Sequence, residues 1–323
     1  MFSVNNSRLL MLVLFACGHL HAETEGTDIS PLKLIGSTTH DAINEMSGLV
    51  KSKRFPNVYW VHNDSGDSPR LFAIDRTGRV IITDFLKDEF YGEAEKKGKA
   101  SWPGIKILLA ANQDWEDIAI DEDRIYIGDV GNNGNARRDM GVYTLFEPNP
   151  HAVHESRISS FIPIRYPEQH QYPALKWHYD SESMFMADGK LYFLTKHRQP
   201  NKHDSWEQGV HLYRLDSYNT TKTNVLTRVD SHEQLTLATG ADLSPDGSRL
   251  AIVAYTALWV FEKPDQGDNW LSGKSKMLPL DYRITRQLEA VCWDDDDTLL
   301  ISNEQREIYE VDLKDIPDSP KQP

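Results

Sequence analysis

Five repeats of one strand–turn–strand pattern predict an all-β fold, a β-propeller of five four-stranded blades. Each repeat runs from an acidic or small polar residue through a short apolar strand and a turn into a second apolar strand. A third strand follows in every repeat, and helical periodicity is nearly absent from the sequence. The repeats begin at Met46, Trp115, Ser181, Gly240 and Leu288, and so are spaced 48 to 69 residues apart.

The remaining strands of each blade are predicted from short aromatic and β-branched runs bounded by turn residues. Third strands are expected at RLFAID, GVYTLFE, GVHLYRLD, ALWVFEK and EIYEVDL. Fourth strands are expected at RVIITDFL, SSFIPIRY, VLTRVD and MLPLDYR. The fifth repeat has no fourth strand of its own, so we expect PLKLIGS (31–37) to supply it from the N-terminal side and close the ring.

Six blades are the alternative count. The stretch from 87 to 113 is long enough to contain degenerate strands of a further blade. Its run of lysines and glutamates favours a charged surface excursion instead, and we keep five blades as the prediction.

The N-terminus predicts export. Residues 1–22 combine Arg8 in a polar head, a short apolar run and small residues near a cleavage site, as secretory signals do. Leu14–Cys17 resembles a bacterial lipobox, which would leave Cys17 acylated; an ordinary cut after Ala22 is the alternative. The propeller is expected over 31–313 and a C-terminal tail over 314–323. The location would be periplasmic, outer-membrane-anchored or secreted.

Composition restricts the partners. The chain has 323 residues, 39% of them hydrophobic, and a formal net charge of −14. This excess of acid argues against binding to nucleic acid or to an anionic membrane surface, so any membrane contact would come through a lipid on Cys17. With Cys17 removed or acylated, Cys292 is left alone in an apolar run, where a buried small hydrophobe is the expected role. We expect a monomer with a small-molecule or envelope ligand.

The acids of the repeats are expected to converge at one mouth of the central channel. In a blade, the innermost strand begins and the second strand ends on the same face of the disk. This places Glu116, Glu182 and Glu289 around the channel. Ala241 stands at the equivalent position of the fourth repeat, with Asp242 one residue later. The candidate metal ligands are therefore Glu116, Asp117, Asp129, Glu182, Asp242 and Glu289.

Converging carboxylates repel one another and must bind protons or share a cation. Oxygen donors from acids, amides and carbonyls suit calcium, which takes about 6–8 of them. Zinc is not favoured, because the chain offers no HxxxH or CxxC spacing. The sequence therefore predicts a calcium site. The alternative is that each acid caps its own hairpin or pairs with a basic residue of the next blade.

Two polar loops that follow second strands, 62–70 and 128–139, are candidates for ligand binding. Their glycines can turn backbone amides toward a ligand, and arginine can hold an anionic group by a two-pronged contact. Tight turns held by Asx caps are the alternative. The residues predicted to bind a ligand are Asn63, Asp64, Asn132, Arg137 and Arg138. A run of four aspartates, 294–297, lies in a hairpin turn at the opposite face and is interpreted as a solvated turn.

The motifs SGL…HNDSGD, DWEDIA…GDVGNN and TGADLSPDG resemble bacterial exported propellers related to the phytase-like esterase and SdiA-regulated groups. The resemblance covers most of 45–312. It implies a propeller, calcium near the axis and, in some members, phosphoester or ester hydrolysis. Mapped onto this chain, the implied acids are Glu116, Asp117, Glu182, Asp242 and Glu289.

Three functions remain in competition. The first is an exported calcium-binding propeller that binds a ligand or partner at the acidic mouth. The alternative is a metal-dependent hydrolase of phosphate esters, lactones or carboxylic esters at the same site, with His62, His197 or a spare carboxylate as general base. The third is a purely structural platform in the cell envelope, with the lipid anchor as its functional feature.

Overall fold

The computed structural model describes residues 31–202 and 204–319, which form a five-bladed β-propeller. Each blade is an antiparallel sheet whose strands follow one another outward from the channel. The predicted fold class and blade count are confirmed. The first and second blades each carry a further short outer strand that pairs in parallel, Glu155–Arg157 and Asn224–Val225.

The strands are given for each blade from the channel outward. The first blade contains Met46–Lys51, Tyr59–Asn63, Arg70–Ile74 and Ile105–Leu108. The second contains Trp115–Asp121, Arg124–Asp129, Gly141–Phe146 and Ser160–Arg165. The third contains Trp177–Ala187, Lys190–Arg198, Val210–Arg214 and Thr227–His232. The fourth contains Ala238–Leu243, Arg249–Ala254, Ala257–Glu262 and Ser275–Pro279. The fifth contains Leu288–Trp293, Thr298–Asn303, Glu307–Asp312 and Lys33–Ser37.

The N-terminal strand closes the ring, as the sequence predicts. Lys33–Ser37 pairs antiparallel with Glu307–Asp312 and so completes the fifth blade from the other end of the chain. The fit is tight at Gly36, where a Cβ atom would lie 2.1 Å from the carbonyl oxygen of Thr77 in the first blade. A glycine is therefore required where the closing strand meets its neighbour.

The fourth strand of the first blade lies elsewhere than predicted. Residues 79–86 contribute one isolated bridge, Ile74 to Val80, and a 3-10 turn at Asp84–Leu86. The outer strand is instead Ile105–Leu108, within the stretch interpreted as a surface excursion. Its alternating burial, with Ile105 and Ile107 inside, suits a blade edge better than the unbroken apolar run of 80–82.

The remaining elements are short. Phe90–Tyr91 pairs with Ala100–Ser101 inside the excursion, which forms no sixth blade. Two further 3-10 turns and one α-helical turn occupy Trp270–Ser272, Leu313–Asp315 and Tyr282–Thr285. No helix among the described residues is long and apolar enough to cross a bilayer.

Apolar side chains packed between neighbouring blades form the core. Cys292 is fully buried in one of these clusters, beside residues of the first and second blades, as expected of a small hydrophobe. Polar contacts reinforce one of the seams. Asp294 joins the fifth blade to the first through Lys51 and Arg76, each 2.7 Å away, so it is not the solvated turn residue that we expected.

The ends of the chain are only partly described. The predicted signal segment 1–22 and its Cys17 lie outside the described residues. Of the predicted tail, the part up to Ser319 runs beside the outer strand of the fourth blade, with the amide of Met277 donating to Pro317 and that of Ser319 to Ser275.

Candidate functional site

The innermost strand of every blade has a one-residue bulge at the same mouth of the channel, and that of the third blade has a second irregularity between Trp177 and Asp180. The bulges fall at Gly48, Glu116, Glu182, Thr239 and Glu289. A bulge interrupts the ladder and re-aims a side chain, which explains how three glutamates come together although their strands belong to different blades. The equivalent position is therefore Gly48 in the first blade and Thr239 in the fourth, where the repeats had placed Ala241.

Lys196 occupies the centre of this mouth and is only 2% exposed. Its ammonium group pairs with the carboxylate of Glu182 and donates to the hydroxyl of Tyr255 at 3.2 Å. That hydroxyl in turn donates to Glu289 at 3.3 Å. Burial alone would lower the pKa of Lys196, but the carboxylate of Glu182 raises it above its usual value, so the ammonium stays charged.

Aromatic faces and a second base complete the centre. The Lys196 ammonium lies 5.1 Å from the ring centroid of Trp206 and 4.8 Å from that of Tyr255. Arg198 pairs with Asp180 at 3.1 Å and with Glu182 at 3.5 Å. The acids of the third blade therefore have basic partners from their own blade.

Three acids on the other side of the mouth have no such partner. Asp64, Asp114 and Glu116 each place one carboxylate oxygen within 4.8 Å of the other two. No salt bridge among the described residues involves any of them. Glu116 also belongs to a second group of the same spacing, with Asp180 and Glu182. We call the set Asp64, Asp114 and Glu116 the acidic corner.

The electrostatics of the acidic corner follow from burial and crowding. Burial raises the pKa of Glu116 well above its usual value, and the charges of Asp64 and Glu182 raise it further. Burial and the neighbouring acids Asp64 and Asp180 likewise raise the pKa of Asp114 to about 7. These carboxyls hold protons more tightly than free acids do, because burial and the crowding of acids outweigh the charges of Arg137 and Lys196, which act on Asp114 and Asp64.

Asp117 and Asp242, both predicted as metal ligands, hold neighbouring blades together. One oxygen of Asp117 accepts the amides of Met184 at 2.7 Å and Ala241 at 3.2 Å, in the third and fourth blades. One oxygen of Asp242 accepts the amide of Trp293 in the fifth blade at 2.9 Å. Since their oxygens already accept backbone bonds, we leave both residues out of the candidate ion site.

Asp129 and the loop residues are bound within the protein. Asp129 pairs with Arg137 at 2.8 Å. Asn63 accepts the amide of Asn44 and donates to Asp67, and Asn132 accepts the amide of Arg137. These contacts are those of turns held by Asx caps, the alternative for both loops. A final contact places Arg138 over the ring of Tyr172, 4.5 Å from its centroid.

The two histidines predicted as general bases are buried. His62 is fully buried against Trp115, their ring centroids 5.7 Å apart, and burial lowers its pKa to about 4. It occupies the space beside Gly48, where a Cβ atom would lie 2.5 Å from its Nε2. His197 alternates with Lys196 and Arg198 and so lies on the other face of its strand.

Several residues of the mouth were missed in the sequence: Asp114, Asp180, Arg198 and Tyr255. For the two acids a signal exists. Asp114-Trp115-Glu116 and Asp180-Ser181-Glu182 share the pattern Asp-x-Glu, which places a second acid two residues before each bulged glutamate. Arg198 and Tyr255 have no such signal. Arg198 contacts acids of the first strand of its own blade, and Tyr255, in the turn after Arg249–Ala254, bridges Lys196 of the third blade and Glu289 of the fifth.

Comparison with known proteins adds little beyond the fold. No protein-family model matches the chain, and no curated protein matches it. Similar solved structures include the major allergen Mala s 1 of Malassezia sympodialis, 10% identical over 90% of this chain and 96% of that chain, with a TM-score of 0.49. Another is a gluconolactonase of Xanthomonas campestris, 11% identical over 89% of each chain, with a TM-score of 0.43.

A third is a PQQ-bound aldose sugar dehydrogenase of Streptomyces coelicolor, 10% identical over 87% of this chain and 97% of that chain, with a TM-score of 0.45. At these identities and TM-scores, none of the three carries a conclusion about what this chain binds. The propeller fold itself follows from the strand pairing.

Proposed function

We propose that the protein is an exported, monomeric calcium-binding propeller that takes a small-molecule or envelope ligand at the mouth of its channel. The acidic corner would hold the ion. The supporting observation is that Asp64, Asp114 and Glu116 lie together without a basic partner, whereas Asp180, Glu182 and Asp129 each have one.

The donor chemistry fits a hard cation. The corner offers only carboxylate oxygens, which suit calcium, and no sulfur or imidazole. The charge balance of the mouth points the same way, because acids outnumber bases. The acids are Asp64, Asp114, Glu116, Asp129, Asp180, Glu182, Glu289 and Glu304, and the bases are Arg137, Lys196 and Arg198.

A bound ion would also explain how the mouth receives a ligand. Calcium takes about 6–8 oxygen donors, more than three carboxylates supply as single ligands, so a ligand oxygen could complete its shell. The rings of Trp206 and Tyr255 lie at the same mouth, where both contact the ammonium group of Lys196. These features favour a ligand with an anionic or hydroxyl oxygen next to an apolar face.

Calorimetric titration tests the ion site. Calcium is expected to bind the wild-type protein at one site per chain, and Glu116→Gln is expected to weaken that binding by at least about tenfold, since one of the three carboxylates loses its charge. Asp295→Asn serves as the matched control, because that acid lies in the exposed hairpin of the fifth blade. Equal binding by wild type and Glu116→Gln would rule out the acidic corner.

Stability should depend on pH in a defined direction. Asp114 has a pKa of about 7 in the folded state against 3.8 for the ordinary side chain, so the folded state binds the proton more tightly. Its contribution to stability is therefore full below about pH 4 and is lost as pH rises to about 7. In EDTA, the melting temperature should fall from pH 5 to pH 8, and calcium should offset that fall mainly at pH 8. A calcium effect as large at pH 5 would contradict this.

For the hydrolase alternative, a spare carboxylate suits the role of general base better than either histidine. Burial lowers the pKa values of His62 and His197, whereas the pKa of Asp114, about 7, is suited to a general base near neutral pH. Such an activity would agree with the resemblance to phytase-like esterases. Turnover of lactones or phosphate esters that requires calcium, and that is lost in Asp114→Asn even when calcium saturates the variant, would favour it over ligand binding alone.

A further inference from the structure

A cluster of three histidines in the third blade lies apart from the acidic mouth. His178, His197 and His211 come from its first, second and third strands. Because Lys196 and Arg198 face the mouth, His197 between them faces the other side of the sheet. Each histidine places one ring nitrogen within 4.8 Å of the other two. The proposed calcium site uses none of them.

The rings are in direct contact. His178 and His197 stack with centroids 3.9 Å apart, and His197 meets His211 at 4.5 Å, edge to face. These contacts bring imidazole nitrogens from three adjacent strands together. A metal ion would bind the rings in their neutral form, through the lone pair of one nitrogen of each.

The partners of the rings leave donor atoms in the cluster. Nδ1 of His211 is buried and has no hydrogen-bond partner. Nε2 of His178 lies 2.6 Å from Glu207, and a proton held there leaves the lone pair of that ring on Nδ1. Nε2 of His197 lies 3.0 Å from the hydroxyl of Thr195, which can turn away. A carboxylate that orients a histidine is typical of the surroundings of a metal site.

We propose that His178, His197 and His211, oriented by Glu207, form a second metal site that binds a transition-metal ion such as zinc, nickel or copper(II). Imidazole nitrogen suits these ions, whereas calcium requires oxygen. The site is independent of the acidic corner in both donor type and position. The guanidinium of Arg228 and the ammonium of Lys176 act on this cluster as positive charges, and so limit its affinity for a cation.

Binding requires a small rearrangement. A metal ion lies near the plane of each ring that ligates it, at about 2.0–2.1 Å from the nitrogen for zinc. The planes of His178 and His197 are only 6° apart, so a shared ion must tilt one ring out of the stack. His178 is the nearer of the two to solvent, because its side chain is 16% exposed whereas His197 is buried. We expect it to move.

Zinc and nickel titrations of the untagged protein test the proposal, with cobalt(II) as a spectroscopic probe. The expected result is one zinc ion bound per chain by the cluster and visible d–d bands of nitrogen-ligated cobalt. His211→Gln should abolish this binding, and Glu207→Gln should weaken it by about 10–100-fold. His170→Gln, at an exposed histidine between the second and third blades, is the matched control.

Two further variants keep the result decisive. If His211→Gln does not fold, His178→Gln replaces it, since that side chain is nearer the surface. Glu116→Gln should leave zinc binding unchanged and His211→Gln should leave calcium binding unchanged, so failure of one site is distinguishable from failure of the other. Absence of zinc binding in the wild type, or equal binding in folded His211→Gln, would overturn the proposal.

Discussion

Replacing Lys196 with methionine is expected to lower the free energy of unfolding by about 3–5 kcal/mol, because it leaves the buried carboxylate of Glu182 without its closest counter-charge. Methionine keeps the length and apolar character of the side chain between Trp206 and Tyr255. The loss would therefore report charge rather than a cavity. Denaturant unfolding at pH 8 measures it.

The same substitution has an internal control. Adding Glu182→Gln should recover part of the loss, because the double variant no longer buries an unpaired charge. The loss should also shrink at pH 5, where Glu182, whose pKa burial raises to about 7, takes up a proton. A loss below about 1 kcal/mol at pH 8 is what an exposed ion pair gives. It would contradict the view that Lys196 and Glu182 form a buried pair at the centre of the mouth.

Asp117→Ala is the second large effect. Its carboxylate accepts amides from the third and fourth blades, and removal leaves Met184 and Ala241 with buried, unsatisfied N–H groups. At about 1–3 kcal/mol for each of these two groups, the loss should be about 2–6 kcal/mol. Thermal and denaturant unfolding measure the change, and Asp117→Asn should cost less because an amide oxygen still accepts.

Asp121→Ala is the matched control for Asp117. It lies at the outer end of the same strand, where its contact with Lys53 is exposed and 3.8 Å long. This variant should stay close to wild type in stability. If Asp117→Ala were equally mild while calcium binding was lost, Asp117 would belong to the ion site after all.

The architecture could be predicted because the pattern that marks a blade lies within a short stretch of sequence. Each inner hairpin combines two apolar runs with a turn, and the fifth repeat lacks a fourth strand, which left 31–37 as the closing strand. The predicted position of the outer strand of the first blade was wrong for a related reason. Thirty residues separate Ile74 from Ile105, and the nearer run at 80–82 is the more apolar of the two.

The mouth was predicted in part. Repeat alignment placed Glu116, Glu182 and Glu289 together, but it could not show the bulges that put Gly48 and Thr239 at the equivalent positions. A bulge depends on pairing with the second strand and leaves no periodic signal. The pairing of Glu182 with Lys196 was also not predicted, since the ion pairs considered from the sequence joined each acid to the next blade, and Lys196 belongs to the same blade as Glu182.

A crystal structure of the protein grown with calcium tests the central claim most directly. An anomalous difference peak is expected between Asp64, Asp114 and Glu116, at about 2.3–2.6 Å from their carboxylate oxygens. The Glu116→Gln variant in the same conditions should lose it. A wild-type map with no peak there, in which the three carboxyl groups are hydrogen-bonded to one another, would contradict the calcium site. The acidic corner would then be a cluster of protonated acids.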